Sequence, residues 1–410
     1  NTVMLYILTF STYLMSFIVV PYETRILGTA GYGLLGVATA MMVYFQLVID
    51  FGFILSATEE VSRNREDKRY LSQIFTAVTL NKLLLTLVSG IVLFALCRLV
   101  PRWQEHALFF FLFFLATAIN SLIPDYLYRG IEQMSAITIR TVLIKFFFTV
   151  MIFLLLKSPS DYCVIPLLNI IGNLGALLGV YVHLFRKVGI RFARITRADF
   201  WRSFRQSNTF FLSRIASTAY TAANTVILDI LSAGTSTAFY SSADKLITTA
   251  KNGLSPISDS LYPYMTKNRD FKLVKKVLCI IMPVILAGCA VVFIWAEPLC
   301  TWFFGPGYGQ TAPVLRAMLP VVVVILPSYI LGFPTLSAMG LSKYANYSVI
   351  FGSVLHICNL CALYFSGHMN MITLGILVSI AETAILAFRV VVILRHRELL
   401  VTPPDTEEET

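Results

Sequence analysis

The chain has 410 residues, of which 57% are hydrophobic and only 13% charged, whereas a soluble surface takes about 25% charged residues. Apolar stretches of about 20 residues, the length of a bilayer-spanning helix, follow one another with short polar breaks and leave no room for a soluble domain. The formal charge of +10 could suit nucleic acid, but the basic residues sit in short loops between apolar segments, where they encode topology; no nucleic-acid partner is expected.

In chain order the apolar runs predict twelve helices, over 3–24, 33–56, 71–97, 106–128, 137–156, 162–185, 206–231, 237–265, 276–296, 310–331, 344–366 and 371–394. The first run, Val3 to Val20, carries no charge, has no small-residue cleavage site after it and leads into Pro21-Tyr22-Glu23. It reads as a span, not as a removable signal. The chain opens on Asn1 and not Met, which leaves room for a short basic leader.

Alternate loops differ sharply in charge. One set holds twenty Lys and Arg: Arg63, Arg65, Lys68 and Arg69, then Arg129, a run from Arg186 to Arg205, a run from Lys267 to Lys276, then Lys343, Arg395 and Arg397. The opposite set holds four, Arg25, Arg98, Arg102 and Lys157. This bias places the basic side, with both termini, in the cytoplasm. The largest basic loop falls at the midpoint, so the expected organisation is a six-helix lobe over 1–185, a cytoplasmic connection over 186–205, a second six-helix lobe over 206–400 and an acidic, disordered tail over 401–410. Ile26-Leu27-Gly28-Thr29 through Tyr32 is faintly echoed by Ile230-Leu231 with Gly234-Thr235 through Tyr240. Two halves of one orientation suggest parallel repeats with a cavity between them.

Ionisable residues inside spans are costly and face a cavity or a partner. On the first helix Thr2, Thr9, Ser16 and Glu23 recur every seven residues as one polar stripe. Ser72, Thr76, Thr79, Lys82 and Thr86 do so on the third, Arg214, Ser217, Thr221 and Thr225 on the seventh. The eighth carries Asp244, Thr248, Lys251, Ser255 and Asp259, with Lys245 about 100° round from Asp244. Four wet faces are therefore expected, two in each half.

At 1.5 Å of rise per residue, Lys82, Arg214 and Lys251 fall within roughly 15 Å of the midplane. Lys145 and Lys245 lie further out, and Glu382 is mid-span in the last helix. This net cationic set suits an anionic substrate such as a phosphate or pyrophosphate, which arginine can hold bidentately in a low-dielectric cavity. The candidate substrate-binding cations are Lys82, Arg214, Lys251 and Lys245; Asp50, Asp244, Asp259, Glu23 and Glu382 are candidates for lining the cavity or coupling. The competing reading makes Lys82, Arg214 and Lys251 members of buried structural ion pairs with Asp50, Asp244, Asp259 or Glu382. Asp125 and Arg129 read as i,i+4 partners near a helix end, and Arg140 and Arg316 as snorkelling cations.

Other signals carry less. The seven cysteines are scattered, and the Cys358/Cys361 pair sits on an apolar helix without a second pair. The histidines show no metal-binding spacing, and Gly305-Pro306-Gly307-Tyr308-Gly309 lacks the Lys-Ser/Thr of a phosphate loop and reads as a turn. No metal, cofactor or catalytic residue is expected.

Three stretches carry a resemblance. Arg25 to Gly33, with Asp50-Phe51-Gly52-Phe53 and Ser56-Ala57-Thr58, resembles the first signature of the bacterial O-antigen and polysaccharide flippases. Arg214-Ile215-Ala216 through Thr225, Tyr240-Ser241-Ser242-Ala243-Asp244-Lys245 and Leu254 through Tyr264 resemble the second. Phe304-Gly305 with Pro313-Val314-Leu315-Arg316 is similar to the third. Asp244 stands where the family motif often has Glu, which keeps the charge. The family belongs to the multidrug/oligosaccharidyl-lipid/polysaccharide exporter superfamily. The resemblance implies an all-α polytopic membrane protein of twelve helices, in two six-helix lobes forming a V-shaped central cavity and working by alternating access. It also implies an undecaprenyl-pyrophosphate-linked oligosaccharide as substrate, carried from the cytoplasmic to the periplasmic leaflet of the bacterial inner membrane. Membrane lipid, a polysaccharide polymerase and chain-length machinery are the other expected partners.

Gly253 with Pro256, and Pro327 with Pro334, are the expected bending points. Two alternatives stand beside the flippase. A cation-coupled multidrug exporter of the same superfamily would favour a more acidic central site. A membrane polysaccharide polymerase would carry a large loop for its chemistry, and the longest connection here is about 20 residues.

Overall fold

Backbone amides in lipid must find their partners within the protein, which restricts spanning segments to helices or closed barrels. The computed structural model describes the backbone of residues 2–232 and 234–400, with side chains except at 2–14, 16, 134, 136, 138, 209, 212–214 and 216–221. Among the described residues all regular structure is helical. Packing divides the chain into two units, Asn1–Ile230 and Leu231–Thr410.

The first unit begins with α1 (Thr2–Asp50), which leaves helical geometry at Gly28 (φ 66°, ψ −174°), so the first two expected helices meet without a loop. It continues with α2 (Phe53–Arg63), α3 (Lys68–Leu99), α4 (Pro101–Glu105), α5 (Ala107–Ser121), α6 (Asp125–Gly130), α7 (Met134–Leu155), α8 (Val164–His183) and α9 (Arg197–Leu231). Asp67 opens α3 by accepting the N–H groups of Arg69 and Tyr70, both at 3.0 Å. Between α7 and α8 a 3₁₀ turn over Pro159–Cys163 is closed by Asp161. The backbone N–H of Lys157, with the hydroxyl and N–H of Ser158, holds the Asp161 carboxyl below the usual carboxylate range. A wider turn, Leu184–Val188, ends α8 at Gly189.

The second unit holds α10 (Gly234–Asn268), α11 (Phe271–Ile294), α12 (Ala296–Phe304), α13 (Thr311–Ile330), the short α14 (Leu336–Ala338), α15 (Ser342–Ser366) and α16 (Met371–Arg395). α10 runs unbroken past Pro256 and Pro263. The bend expected around Pro327 and Pro334 is present as a π turn over Leu331–Thr335, with Gly332 outside helical geometry (ψ −116°).

The twelve expected segments are largely helical where described, with breaks at Phe51-Gly52 inside 33–56 and at Leu122–Pro124 inside 106–128, and among the described residues eight helical runs are long and apolar enough to cross a membrane. Those eight include a single run, Phe17–Arg63, reaching across the first two expected spans. Among the expected spans described in full, 237–265 is not one of them; its polar stripe lowers its apolar content. The tail 401–410 lies outside the described residues.

The break after α1 fixes the course of the first unit. Phe51 (φ 38°) and Gly52 (φ 77°) both adopt left-handed geometry, which non-glycine residues pay for with about 1–2 kcal/mol. Phe51 lies between Phe204 and Phe211 of α9, with ring centroids 4.3 and 4.4 Å away and planes within 20°. A Cβ at Gly52 would sit 2.8 Å from Phe210 Cβ and 2.9 Å from both the Phe211 nitrogen and the Ser207 carbonyl oxygen. Two of those atoms are backbone and cannot swing aside. Just beyond, the Ser56 and Ser207 hydroxyls lie 2.6 Å apart. We expect Gly52→Ala to separate α9 from the break and to destabilise by about 2 kcal/mol or more. A fall of several degrees in the detergent melting midpoint, followed by size-exclusion fluorescence, checks this; an unchanged midpoint would show that α9 is not held there.

Candidate functional site

Two buried ion pairs dominate the polar interior. In the first unit Lys82, near the middle of α3, reaches Asp50 Oδ1 at 2.9 Å and donates to the Ser121 carbonyl at 2.5 Å. One ammonium thus ties the ends of α1 and α5 to α3. Ser121 closes α5, where the carbonyl lacks an intrahelical partner. In the second unit Lys251 of α10 reaches Glu382 Oε1 of α16 at 2.6 Å. The lysine side chains differ in access: Lys82 keeps 7% of its surface and Lys251 19%. Asp50 and Glu382 are among the four partners expected of a structural pair; Asp244 is partly buried and Asp259 exposed.

The other predicted site residues are dispersed. Lys245 is exposed and Glu23 is buried. Arg214, with Ser217 and Thr221, lies outside the described side chains, as do the first-helix positions Thr2, Thr9 and Ser16.

The stripe on α3 is not wet, contrary to expectation. Ser72, Thr76, Thr79 and Lys82 are all buried, and the connection leading to α9 lies along it. The Ser72 hydroxyl accepts the Arg191 N–H at 3.2 Å and the Thr76 hydroxyl accepts the Ala193 N–H at 2.9 Å. Extended backbone has no partners of its own, and the hydroxyls supply them.

Asp125 also departs from expectation. Its partner is Arg140 of α7, bidentate at 2.8 and 3.1 Å, and not Arg129 one turn away. Across the α6–α7 turn the planar guanidinium meets both carboxylate oxygens, so Arg140 is drawn inward and does not snorkel. Arg316 donates through Nε to the Phe293 carbonyl at 2.9 Å, at the end of α11.

Two buried charges escaped the sequence reading. Asp229, near the end of α9, accepts the Trp103 indole N–H at 2.9 Å and lies 3.1 Å from Arg102 Nη1. Arg389 of α16 donates through Nε to the Ser348 hydroxyl at 2.8 Å, and through Nη1 to the Ser328 hydroxyl at 2.9 Å and the Ser328 carbonyl. Its guanidinium fills the space beside Gly332, where an added Cβ would come within 2.8 Å of Nη1. An arginine seven residues after Glu382 was the available signal.

The helix order defines the class by fold. The chain is similar to the lipid II flippase MurJ in an inward closed conformation (TM-score 0.71, 14% identity, 96% of this chain and 88% of that one). It is also similar to an inward-facing multidrug resistance MATE family transporter of the MOP superfamily (TM-score 0.69, 14% identity, 98% and 99%). In sequence it is similar to proteins named as O-antigen transporters in Escherichia coli strain K12, 24% identical over 87% of each chain, and in Shigella dysenteriae, 25% identical over 91% of this chain and 94% of that one. Residues 1–269 match the family described as polysaccharide biosynthesis protein, and the chain belongs to that family.

Breaking a buried pair from one side leaves an uncompensated charge and costs about 3–5 kcal/mol, whereas removing both charges is often close to neutral. We expect Lys82→Met and Asp50→Asn each to lower the amount of folded protein in the membrane, and the double substitution to restore it. The yield of monodisperse protein for the four chains of the cycle measures this. Equal yields throughout would show that the pair contributes nothing.

Proposed function

We propose that the protein is a transporter that flips an undecaprenyl-pyrophosphate-linked oligosaccharide, an O-antigen or related repeat unit, from the cytoplasmic to the periplasmic leaflet by alternating access. Membership of the polysaccharide biosynthesis family carries this reading, and the names of the relatives and the flippase fold support it. The inner membrane, cytoplasmic termini and the two lobes 1–185 and 206–400, joined by 186–205 and followed by the tail 401–410, belong to the same proposal. The flipped repeat units would pass to a polysaccharide polymerase and its chain-length machinery.

The geometry ranks the candidate cations. A pyrophosphate can take a paired lysine only by displacing its carboxylate. Lys82 is held by both Asp50 and the Ser121 carbonyl and is nearly inaccessible, which favours a structural role. Lys251 is the more open of the two paired lysines and, with Arg214, is the better substrate cation. Lys245, exposed near the start of α10, serves an earlier contact. Asp244, Asp259, Glu23 and Glu382 remain the candidates for lining or coupling.

Deleting the gene and assaying surface polysaccharide, together with the leaflet of the lipid-linked units, tests the function. Units trapped on the cytoplasmic face with surface polysaccharide lost are expected. Single units capping the surface unpolymerised would indicate a polymerase, and intact polysaccharide with altered drug sensitivity an exporter. For the site, Arg214→Ala is expected to abolish export at unchanged protein level; full export by that variant would remove Arg214 from the mechanism.

A further inference from the structure

Two hollows adjoin within the first unit, on either side of the seam between α7 and α8. One, about 400 Å³, lies among α1, α5, α7 and α8, and about half of its lining is polar, from Gln46, Asn120, Asn169, Asn173, Lys145 and Arg140. The other is an apolar groove of about 580 Å³ between α7 and α8. Leu143 and Phe147 wall it, and Gly175 and Gly179 leave its α8 side open. Arg140 and Ile144 border both hollows. The partition is thin: a Cβ at Gly172 would lie 3.0 Å from Ile144 Cγ2.

Polarity along the groove is one-ended. Arg140 and the Tyr128–His183 pair, hydrogen-bonded at 2.8 Å, lie at the end where α7 begins. From there the lining on α7 runs apolar to Phe147, roughly 15 Å from Ile137 at 1.5 Å per residue. Arg140 gives Nη1 and Nη2 to Asp125, and its buried Nε–H has no acceptor. A guanidinium carries five N–H donors, so others remain for an anion after Asp125 has taken two. The Asn169 and Asn173 amide nitrogens each give one hydrogen to a backbone carbonyl, of Ile165 and of Ala116, and the remaining amide hydrogens and oxygens match the hydroxyl groups of a sugar.

We propose that this seam docks the carrier lipid. The groove takes the isoprenoid chain of a polyprenyl phosphate or pyrophosphate, Arg140 meets the phosphate, and the carboxamide-lined hollow receives the attached sugar. The proposal rests on the flippase reading and locates a lipid-chain site within the first unit. A bulk phospholipid would match the apolar groove but would leave the carboxamide hollow without a purpose. The cationic end of the groove lies on the basic side of the chain, where the carrier's head begins its passage.

The test uses the full chain in phosphatidylcholine nanodiscs, with a benzophenone amino acid at Leu143 or, as a lipid-facing control, at Leu87, and undecaprenyl phosphate as the probe. Capture at Leu143 well above Leu87 is expected. Gly175→Leu fills the groove without a steric conflict at Cβ and is expected to cut capture about tenfold, while Gly288→Leu, at an equally open position on α11, leaves it unchanged. Arg140→Gln is expected to remove the preference for undecaprenyl phosphate over undecaprenol. The Arg140→Gln/Asp125→Asn double variant guards against misfolding from an unpaired Asp125 and is expected to behave the same way. Equal capture at both positions, insensitivity to Gly175→Leu, or equal competition by phosphatidylglycerol would overturn the proposal. Export and total lipid binding separate the two readings. If Gly175→Leu keeps both at the unsubstituted level, the groove is excluded and the flippase stands. If the unsubstituted chain binds no undecaprenyl phosphate and gene deletion spares surface polysaccharide, both fall.

Discussion

An ionised side chain in hydrocarbon has to be answered from within the protein, and in the first unit that constraint falls on Lys82. Its ammonium holds the Asp50 carboxylate and the Ser121 carbonyl together, so α1 and α5 end where α3 can reach them. Asp50 is also the last helical residue before the left-handed pair Phe51 and Gly52. The ion pair therefore anchors the backbone at the point where it changes direction. Once the direction is fixed, Phe51 is delivered between Phe204 and Phe211, and Gly52 allows α9 to approach backbone to backbone. Charge pairing, helix termination and aromatic stacking are steps of one arrangement spread over three consecutive residues and their partners.

The second unit answers the same constraint at a broken helix. Pro334 has no N–H to give the Ile330 carbonyl four residues before it, and the Thr335 hydroxyl takes that carbonyl instead, at 2.8 Å. Two residues earlier, Arg389 supplies the Ser328 carbonyl and hydroxyl. A proline break inside a membrane helix is tolerated only when neighbouring side chains satisfy the freed backbone. Here one neighbour is local and the other comes from α16. Because the guanidinium occupies the space beside Gly332, the bend in α13 and the placement of α16 depend on each other.

Much of this could be read from the sequence. Apolar runs gave the helices because a span has a minimum length, and Pro327 with Pro334 marked the break at Leu331–Thr335; Gly253 with Pro256 marked a bend that α10 does not make. The burial of Lys82 was also legible, since a lysine in the middle of an apolar run has few alternatives. What periodicity could not supply was the partner. Asp125 was read with Arg129 because they share a helix face, but the loop between α6 and α7 brings Arg140 into better geometry. The α3 stripe was read as wet because hydroxyls at helical spacing look alike whether they meet water or, as here, the backbone of a connection more than a hundred residues later. Asp229 and Arg389 escaped because each lies near the end of a long helix, where a charge usually needs no explanation.

The pairing of the deep lysines bears on how the proposed flippase mechanism would work. At 4 Å and an effective dielectric near 20, one unit charge attracts another by about 4 kcal/mol, and several bare cations facing a pyrophosphate would hold it too firmly for release. A lysine that already carries a carboxylate gains only the difference between the two partners when the substrate displaces it. Binding is then weaker but reversible, and the displaced carboxylate is free to reclaim the lysine as the substrate leaves. Under the proposed function, Lys251 and Glu382 would make that exchange, because the lysine is partly open. Lys82, enclosed and held by two acceptors, cannot make it without disturbing the turn at Asp50. Under the proposed function the same chemical pair would be a fastener in one unit and an exchangeable site in the other, with burial deciding between them.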